Sequence, residues 1–351
     1  MRHGSEIHPT NRFEKIAKIE DFGQLTDDDL SSETISAKIE YFTDQSKSIV
    51  STNNSPDIPF RYSLNPYRGC SHGCAYCYGR NTHEYLGMDA GLDFETKIIV
   101  KQDAPRLLQD FLARPEWQVE PISFSGVTDC YQPAERQFQL TRQCIEVALA
   151  CRQPISIVTK NALVLRDLDL LSQMAAMDLI HVFISISTLD DELARTMEPR
   201  TSVLRARLRA VQELAKAKVP VGVLVAPIIP GLNDSEMPQV LQAVHQAGAK
   251  TAGYVLLRLP LTVEPVFLEW LRRTQPLKAD KVEQRIRDTR QGELNKSTFG
   301  ERMRGSGEMA EQIRKLFKVF AAKYQLDQRL PKHNAEAFIP PSTTSGQQWL
   351  F

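Results

Sequence analysis

The chain has 351 residues, 42% of them hydrophobic and 25% charged, with 43 Lys/Arg against 43 Asp/Glu and a formal net charge of zero. That length and apolar content suit a globular protein of enzyme size and exclude a disordered or fibrous chain. No run of ~18 apolar residues is available for a membrane span, and the start MRHGSEIHPTNRFEKI lacks the apolar core of a secretory signal. A cytoplasmic protein with reduced thiols is expected.

Residues 1–60 are polar, hold six Lys/Arg and eleven Asp/Glu, include the run Asp27, Asp28 and Asp29, and end in 51-STNNSPDIP-59. They read as an N-terminal extension and linker. From residue 61 short β-rich runs alternate with helical segments. RYSL at 61–64 is the first run. PISFSG at 121–126 precedes a helix over 135–151, ISIVT at 155–159 a helix over 161–176, and HVFISIS at 181–187 a helix over 202–217. VPVGVLVAPI at 219–228 precedes a helix over 235–247, and TAGYVLLRL at 251–259 closes the series. Strands separated by helix-length crossovers predict a parallel sheet, curving into a full or partial barrel over 61–262.

Beyond residue 262 the pattern changes to amphipathic helices over 265–273 and 308–324, the second with Ile313, Leu316, Phe317 and Phe320 at helical spacing. Between them lies the Gly-rich, basic stretch 290-RQGELNKSTFGERMRGSG-307. Residues 271–330 hold fifteen Lys/Arg and eight Asp/Glu. This C-terminal segment, 263–351, either faces an anionic partner such as a nucleic acid or is a solvated surface balanced by the acidic N-terminus.

A parallel barrel gathers its chemistry at the C-terminal ends of its strands. Polar residues stand there: Thr128, Asp129 and Cys130; Thr159 and Lys160; Ser185, Ser187 and Thr188; 227-PIIPGLND-234; and Arg258. Singly, each is ordinary turn and capping chemistry. Together they lie beneath 65-NPYRGCSHGCAYCYGR-80, which places Cys70, Cys74 and Cys77, three of the six cysteines, within eight positions. A structural zinc site wants four ligands and would have to recruit His72, His83 or Cys130. A thioredoxin-type reading of Cys74 and Cys77 leaves Cys70 idle. A [4Fe-4S] cluster has one corner iron per thiolate, so three thiolates leave the fourth iron open as a reaction site.

The spacing Cys70-x3-Cys74-x2-Cys77, with Tyr76 before the last cysteine, resembles the radical S-adenosylmethionine (SAM) superfamily. The words 65-NPYRGC-70, 72-HGCAYCYGR-80, 127-VTDCYQPAER-136, 198-EPR-200, 227-PIIPGLND-234 and 258-RLP-260 resemble its spore photoproduct lyase-like bacterial branch. The resemblance implies an α/β fold, a partial (β/α)6 TIM-type barrel, with a [4Fe-4S] cluster on Cys70, Cys74 and Cys77. It also implies S-adenosyl-L-methionine as co-substrate and an electron donor such as flavodoxin or ferredoxin. Tyr76 and Tyr78 are expected beside the cluster and the adenine, Thr128 with Ser185 or Ser187 at polar contacts to SAM, and Lys160 facing its carboxylate. Arg200 is a further candidate, for a SAM contact or a structural ion pair. In spore photoproduct lyase a hydrogen-donating cysteine stands just after the second strand; the matching position here is Gly126, and Cys130 with Tyr131 is the nearest candidate for that catalytic role. An iron–sulfur protein without SAM chemistry, a zinc-stabilised module, and a protein or small-molecule substrate are the alternatives.

Overall fold

The computed structural model describes residues 3–13 and 38–341, so the acidic run 27–29 lies outside the described residues. The described residues form ten strands: β1 (Glu40–Thr43), β2 (Val50–Thr52), β3 (Tyr62–Leu64), β4 (Tyr67–Arg68), β5 (Lys97–Val100), β6 (Ile122–Phe124), β7 (Ile155–Thr159), β8 (Ile180–Ser185), β9 (Val221–Ile228) and β10 (Thr251–Leu256). Seven form one sheet in the order β10-β9-β8-β7-β6-β3-β2. From β3 to β10 its neighbours pair in parallel, and β2 adds to β3 antiparallel. The six parallel strands are the six expected β-rich runs, and their crossovers are helical, which makes the partial (β/α)6 barrel. Ile and Val dominate the inner strands because both faces are covered.

The crossover helices bury apolar residues at helical spacing: Leu170, Leu171 and Met174 in Leu168–Ala175, Val211 and Leu214 in Leu204–Lys216, and Val240, Leu241 and Val244 in Met237–Gln246. The helix expected over 135–151 is broken. Gln139 takes a left-handed conformation (φ 53°), which splits it into Glu135–Phe138 and Leu140–Ala150. The start of the segment over 161–176 is a 3-10 turn, Ala162–Asp167, because the Asn161 side chain accepts from the Leu163 amide and ties the entry.

The N-terminal segment read as extension and linker contributes two strands. β1 pairs with β5 in a small sheet, β1-β5-β4, that leads into the cysteine loop, and β2 extends the main sheet. At the other end of the main sheet the free edge of β10 is covered by chain: the Ala252 amide donates to Leu326 O (2.7 Å) and the Leu256 amide to Met303 O (3.0 Å). Across the open side of the barrel, Asp57 accepts from the Gly300 amide (2.8 Å) and pairs with Arg302 (2.6 Å). In helix Glu308–Lys323, Ile313 is buried and Phe317 lies 4.7 Å from the Tyr254 ring of β10, while Leu316 faces solvent. Among the described residues no helix is long and apolar enough to cross a membrane.

Candidate active site

The cysteine loop leaves β4 and turns tightly. Gly69 and Gly73 have φ of 74° and 66°, a left-handed conformation that other residues resist. A Cβ at Gly73 would lie 2.5 Å from Glu95 Oε2, and one at Gly69 would lie 2.9 Å from Lys97 O. The Cys70 amide donates to Phe94 O (2.9 Å), Gly73 N to Cys70 O (3.2 Å) and Cys77 N to Cys74 O (3.2 Å). Cys70 and Cys74 are buried and Cys77 is half-buried.

Behind the loop sits a paired set of charges. The buried Arg80 guanidinium donates to Cys74 O (2.9 Å from Nη2), to Ala90 O (3.0 Å) and Gly91 O (2.9 Å), and to Glu95 (2.6 Å). Glu95 also accepts from the amides of Gly4 (3.2 Å) and Ser5 (2.9 Å), from Arg200 (3.0 Å), and lies 3.2 Å from His3 Nδ1. Burial alone would raise the Glu95 carboxyl, but Arg80, His3 and Arg200 reverse this and hold it below the usual carboxylate range. Arg200 donates from Nε to Ser71 O, so it braces the loop from outside. Residues 3–13 are thereby strapped over the loop, with Gly4 so close to Gly73 O that a Cβ would lie at 1.8 Å.

In front of the loop the strand ends bring together Lys160, Ser185, Ser187 and Tyr76. Lys160 Nζ donates to Ser185 Oγ (3.0 Å) and lies 5.7 Å from the Tyr76 ring centre. Among the described residues no carboxylate reaches it at ion-pair distance. The Tyr76 hydroxyl donates to Glu198 Oε1, as does Ser187 Oγ (2.9 Å), and Arg207 pairs with Glu198 Oε2 at 2.5 Å. Burial opposes charge on Glu198, yet Arg207 and Lys160 hold its carboxyl below the ordinary range. Asp129 orders the β7 end, accepting from Thr159 Oγ1 (2.7 Å) and the Lys160 amide (2.8 Å).

These residues fit a group that needs three thiolates. The other candidate ligands have partners of their own: His72 Nδ1 lies 3.4 Å from Asp129 and its Nε2 3.2 Å from the Asn161 amide nitrogen. His83 Nε2 lies 3.0 Å from Lys97 O. Cys130 lies in the hydrophobic core with Cys144. His72 does reach the Cys70 side chain, but both of its ring nitrogens are taken by Asp129 and Asn161, so three thiols of one loop suit a cluster with one open iron better than a closed zinc tetrahedron.

The polar side chains of three sequence candidates are engaged in local structure or the core. Thr128 gives its hydroxyl to Tyr67 O (3.1 Å). Cys130 and Tyr131 are fully buried in the core; burial pushes the Cys130 thiol well up, and the Tyr131 hydroxyl donates to Asp167 (3.0 Å). The turn before them explains this. Ser125 has φ 82° and its Oγ accepts the Cys130 amide (2.8 Å), while Asn65 Oδ1 accepts three successive amides, of Gly126, Val127 and Thr128. At Gly126 a Cβ would lie 2.9 Å from the Ser63 side chain, so this position has little room for a cysteine. Thr188 and Asn233 also serve local structure, the first bonding Glu236 (2.8 Å), the second Ser187 O (2.7 Å).

Glu95, Arg80, Glu198 and Arg207 were missed by the sequence reading. The Glu-Pro-Arg word at 198–200 carries a signal for Glu198 as well as for Arg200. Among the basic residues of 271–330, Arg272 pairs with Glu283 (2.9 Å), Arg273 with Glu269 (2.6 Å) and Glu6 (3.2 Å), and Arg302 with Asp57 (2.6 Å). Two of those acids come from the N-terminal segment. Lys296 bonds Gln291, and the exposed Arg304 lies 4.3 Å over the Tyr254 ring.

The sequence profile of the Radical SAM superfamily matches residues 64–244. An uncharacterised protein of Mycobacterium tuberculosis is 38% identical over 225 residues, 64% of this chain and 66% of the relative. This chain therefore spans just under two thirds of that relative's length. An uncharacterised protein of Methanocaldococcus jannaschii is 29% identical over 202 residues, 58% of this chain and 73% of the relative. A structure of a spore photoproduct lyase mutant with bound AdoMet and dinucleoside spore photoproduct superposes with a TM-score of 0.60 at 18% identity, over 81% of this chain and 78% of that one. At that identity the likeness concerns the fold.

Proposed function

The chain belongs to the radical SAM superfamily, and from that premise we propose that it is an enzyme that cleaves S-adenosylmethionine reductively to start radical chemistry on a substrate. The cofactors this family implies are a [4Fe-4S] cluster and SAM. Held by this chain, the cluster and SAM together would supply reductive cleavage of SAM to methionine and a 5'-deoxyadenosyl radical. A one-electron donor such as flavodoxin or ferredoxin supplies that electron.

In this reading Cys70, Cys74 and Cys77 hold three corners of the cluster. Lys160, steered by Ser185 and by the grip of Asp129 on its amide, gives the SAM carboxylate a charge-assisted partner. Tyr76 presents its ring at the loop, fixed by Glu198, which also holds Ser187 and is itself held by Arg207. Leu257, Ile229 and Met197 pack with Cys74 and Tyr76 and keep water out. Cys130 and Tyr131, buried in the core, have no part in it, and Arg200 acts as a brace.

The observation that carries this reading is the juxtaposition of three cysteines on one braced loop with a lysine that has no carboxylate partner. Protein purified and reconstituted without oxygen is expected to contain iron and sulfide, and to release 5'-deoxyadenosine from SAM when given a strong reductant. Stoichiometric zinc in place of iron, or a full cluster with no SAM cleavage, would sink it.

A further inference from the structure

Past the end of β10 the chain runs Leu257, Arg258, Leu259. Leu257 and Leu259 are buried in the cluster of side chains that also holds Cys74 and Tyr76. Alternation in an extended chain sends Arg258 the other way. Its guanidinium carbon lies 5.9 Å from the centre of the Tyr78 ring. Tyr78 follows Cys77 directly, is 51% exposed, and donates its hydroxyl to Gly126 O (2.6 Å). Arg258 thus lies at the mouth of the barrel, beside the cysteine loop, where a substrate would reach it.

Two more guanidiniums lie nearby, and both are occupied. Arg290 donates to three carbonyls, those of Leu257 (2.6 Å), Glu301 (3.2 Å) and Arg302 (2.9 Å). Arg302 holds Asp57, whose other oxygen takes the Gly300 amide. The Arg290 Nε is also buried without an acceptor, but its other nitrogens have those carbonyls, whereas no carbonyl or carboxylate accepts from Arg258 among the described residues. Among the described residues its hydrogen-bond contact is with the Met303 sulfur at 3.6 Å, a weak acceptor, and its Nε is buried without an acceptor. A part-buried guanidinium without an anion is costly to keep, so its retention points to a ligand that brings one.

We propose that Arg258 is the substrate anchor of this site, taking an oxyanion of the substrate, a phosphate or a carboxylate, in its two-pronged fork and so setting the rest of the substrate against Tyr78. This deepens the function proposed above and rests on it. The oxyanion is not the SAM carboxylate, because Lys160, the partner proposed for that carboxylate, directly follows β7, three strands away from β10. Substrates of this enzyme therefore carry an acidic group at a fixed distance from the carbon that reacts.

The test uses full-length protein loaded with cluster and SAM, and titrates inorganic pyrophosphate and malonate by calorimetry against wild type, Arg258→Gln and Arg258→Lys. Wild type is expected to take one equivalent of at least one probe, and the preferred probe names the oxyanion. Arg258→Gln should weaken that binding more than about tenfold, and Arg258→Lys should recover only part of it, since lysine brings the charge without the fork. Equal binding by wild type and Arg258→Gln overturns the proposal, as does wild type that binds neither probe. Iron and bound SAM are assayed on the same samples: their absence counts against the proposed function, whereas their presence with unchanged probe binding counts against Arg258 alone. Circular dichroism of both variants guards against misfolding.

Discussion

Behind the cysteine loop the buried charges are paired: Glu95 is met by Arg80, Arg200, His3 and two amides. At the end of β10, by contrast, Arg258 has a sulfur atom for company and an Nε with no acceptor. The loop side is a scaffold, and the pairing of Glu95 with its arginines lets it hold one geometry around the cysteines. At the mouth, Arg258 is left without a carbonyl or carboxylate acceptor among the described residues, which is why it is the proposed anchor for a ligand. Pairing of buried charge separates what the fold keeps for itself from what it offers a ligand.

The largest effect is expected at the cysteines. Replacing Cys70, Cys74 or Cys77 by Ala should each abolish the cluster and the release of 5'-deoxyadenosine, read by iron analysis and product assay. A single variant that kept both would show that the ligand assignment is wrong. Next comes the charge contrast itself. Glu95→Gln leaves Arg80 and Arg200 buried with one acceptor lost, which should cost about 3–5 kcal/mol in urea unfolding. Arg258→Gln, which removes a charge that has no partner, should cost far less, and equal losses at the two positions would erase the distinction.

A smaller effect is expected for SAM itself. Lys160→Ala removes a charge-assisted contact of about 1.5–3 kcal/mol and should weaken SAM binding more than tenfold with iron content intact. Unchanged affinity would make Lys160 a loop lysine. The smallest effect concerns nucleic acid. Each phosphate neutralised would contribute a slope of about −0.7 to −0.9 to log K against log salt. Because Arg272, Arg273 and Arg302 are already paired with acids, single- and double-stranded DNA and RNA should show a slope of at most about one or two such contacts. A steep slope would mean that the acids release these arginines to phosphate.

Much of this molecule was legible along the chain. The six parallel strands, the crossover helices and the cysteine triplet are written in local spacing, because strand alternation, helical periodicity and ligand spacing involve neighbours in sequence. Lys160, Ser185 and Ser187 could be placed near the triplet because parallel strands bring their C-terminal ends to one side. Other decisions were made only in three dimensions. Glu95 meets a strap that begins at His3, 92 positions earlier, and Arg302 meets Asp57 across the open side of the barrel. Such partners are chosen by folding and leave no periodic trace. Cys130 was misleading for the same reason: one residue past Asp129 it looked like site chemistry, but the turn at Ser125 and the grip of Asn65 on three amides carry it into the core. The types of the residues and their local spacing were set by sequence alone, whereas which charges are cancelled depended on tertiary packing, since burial decides the cost of leaving a charge unpaired.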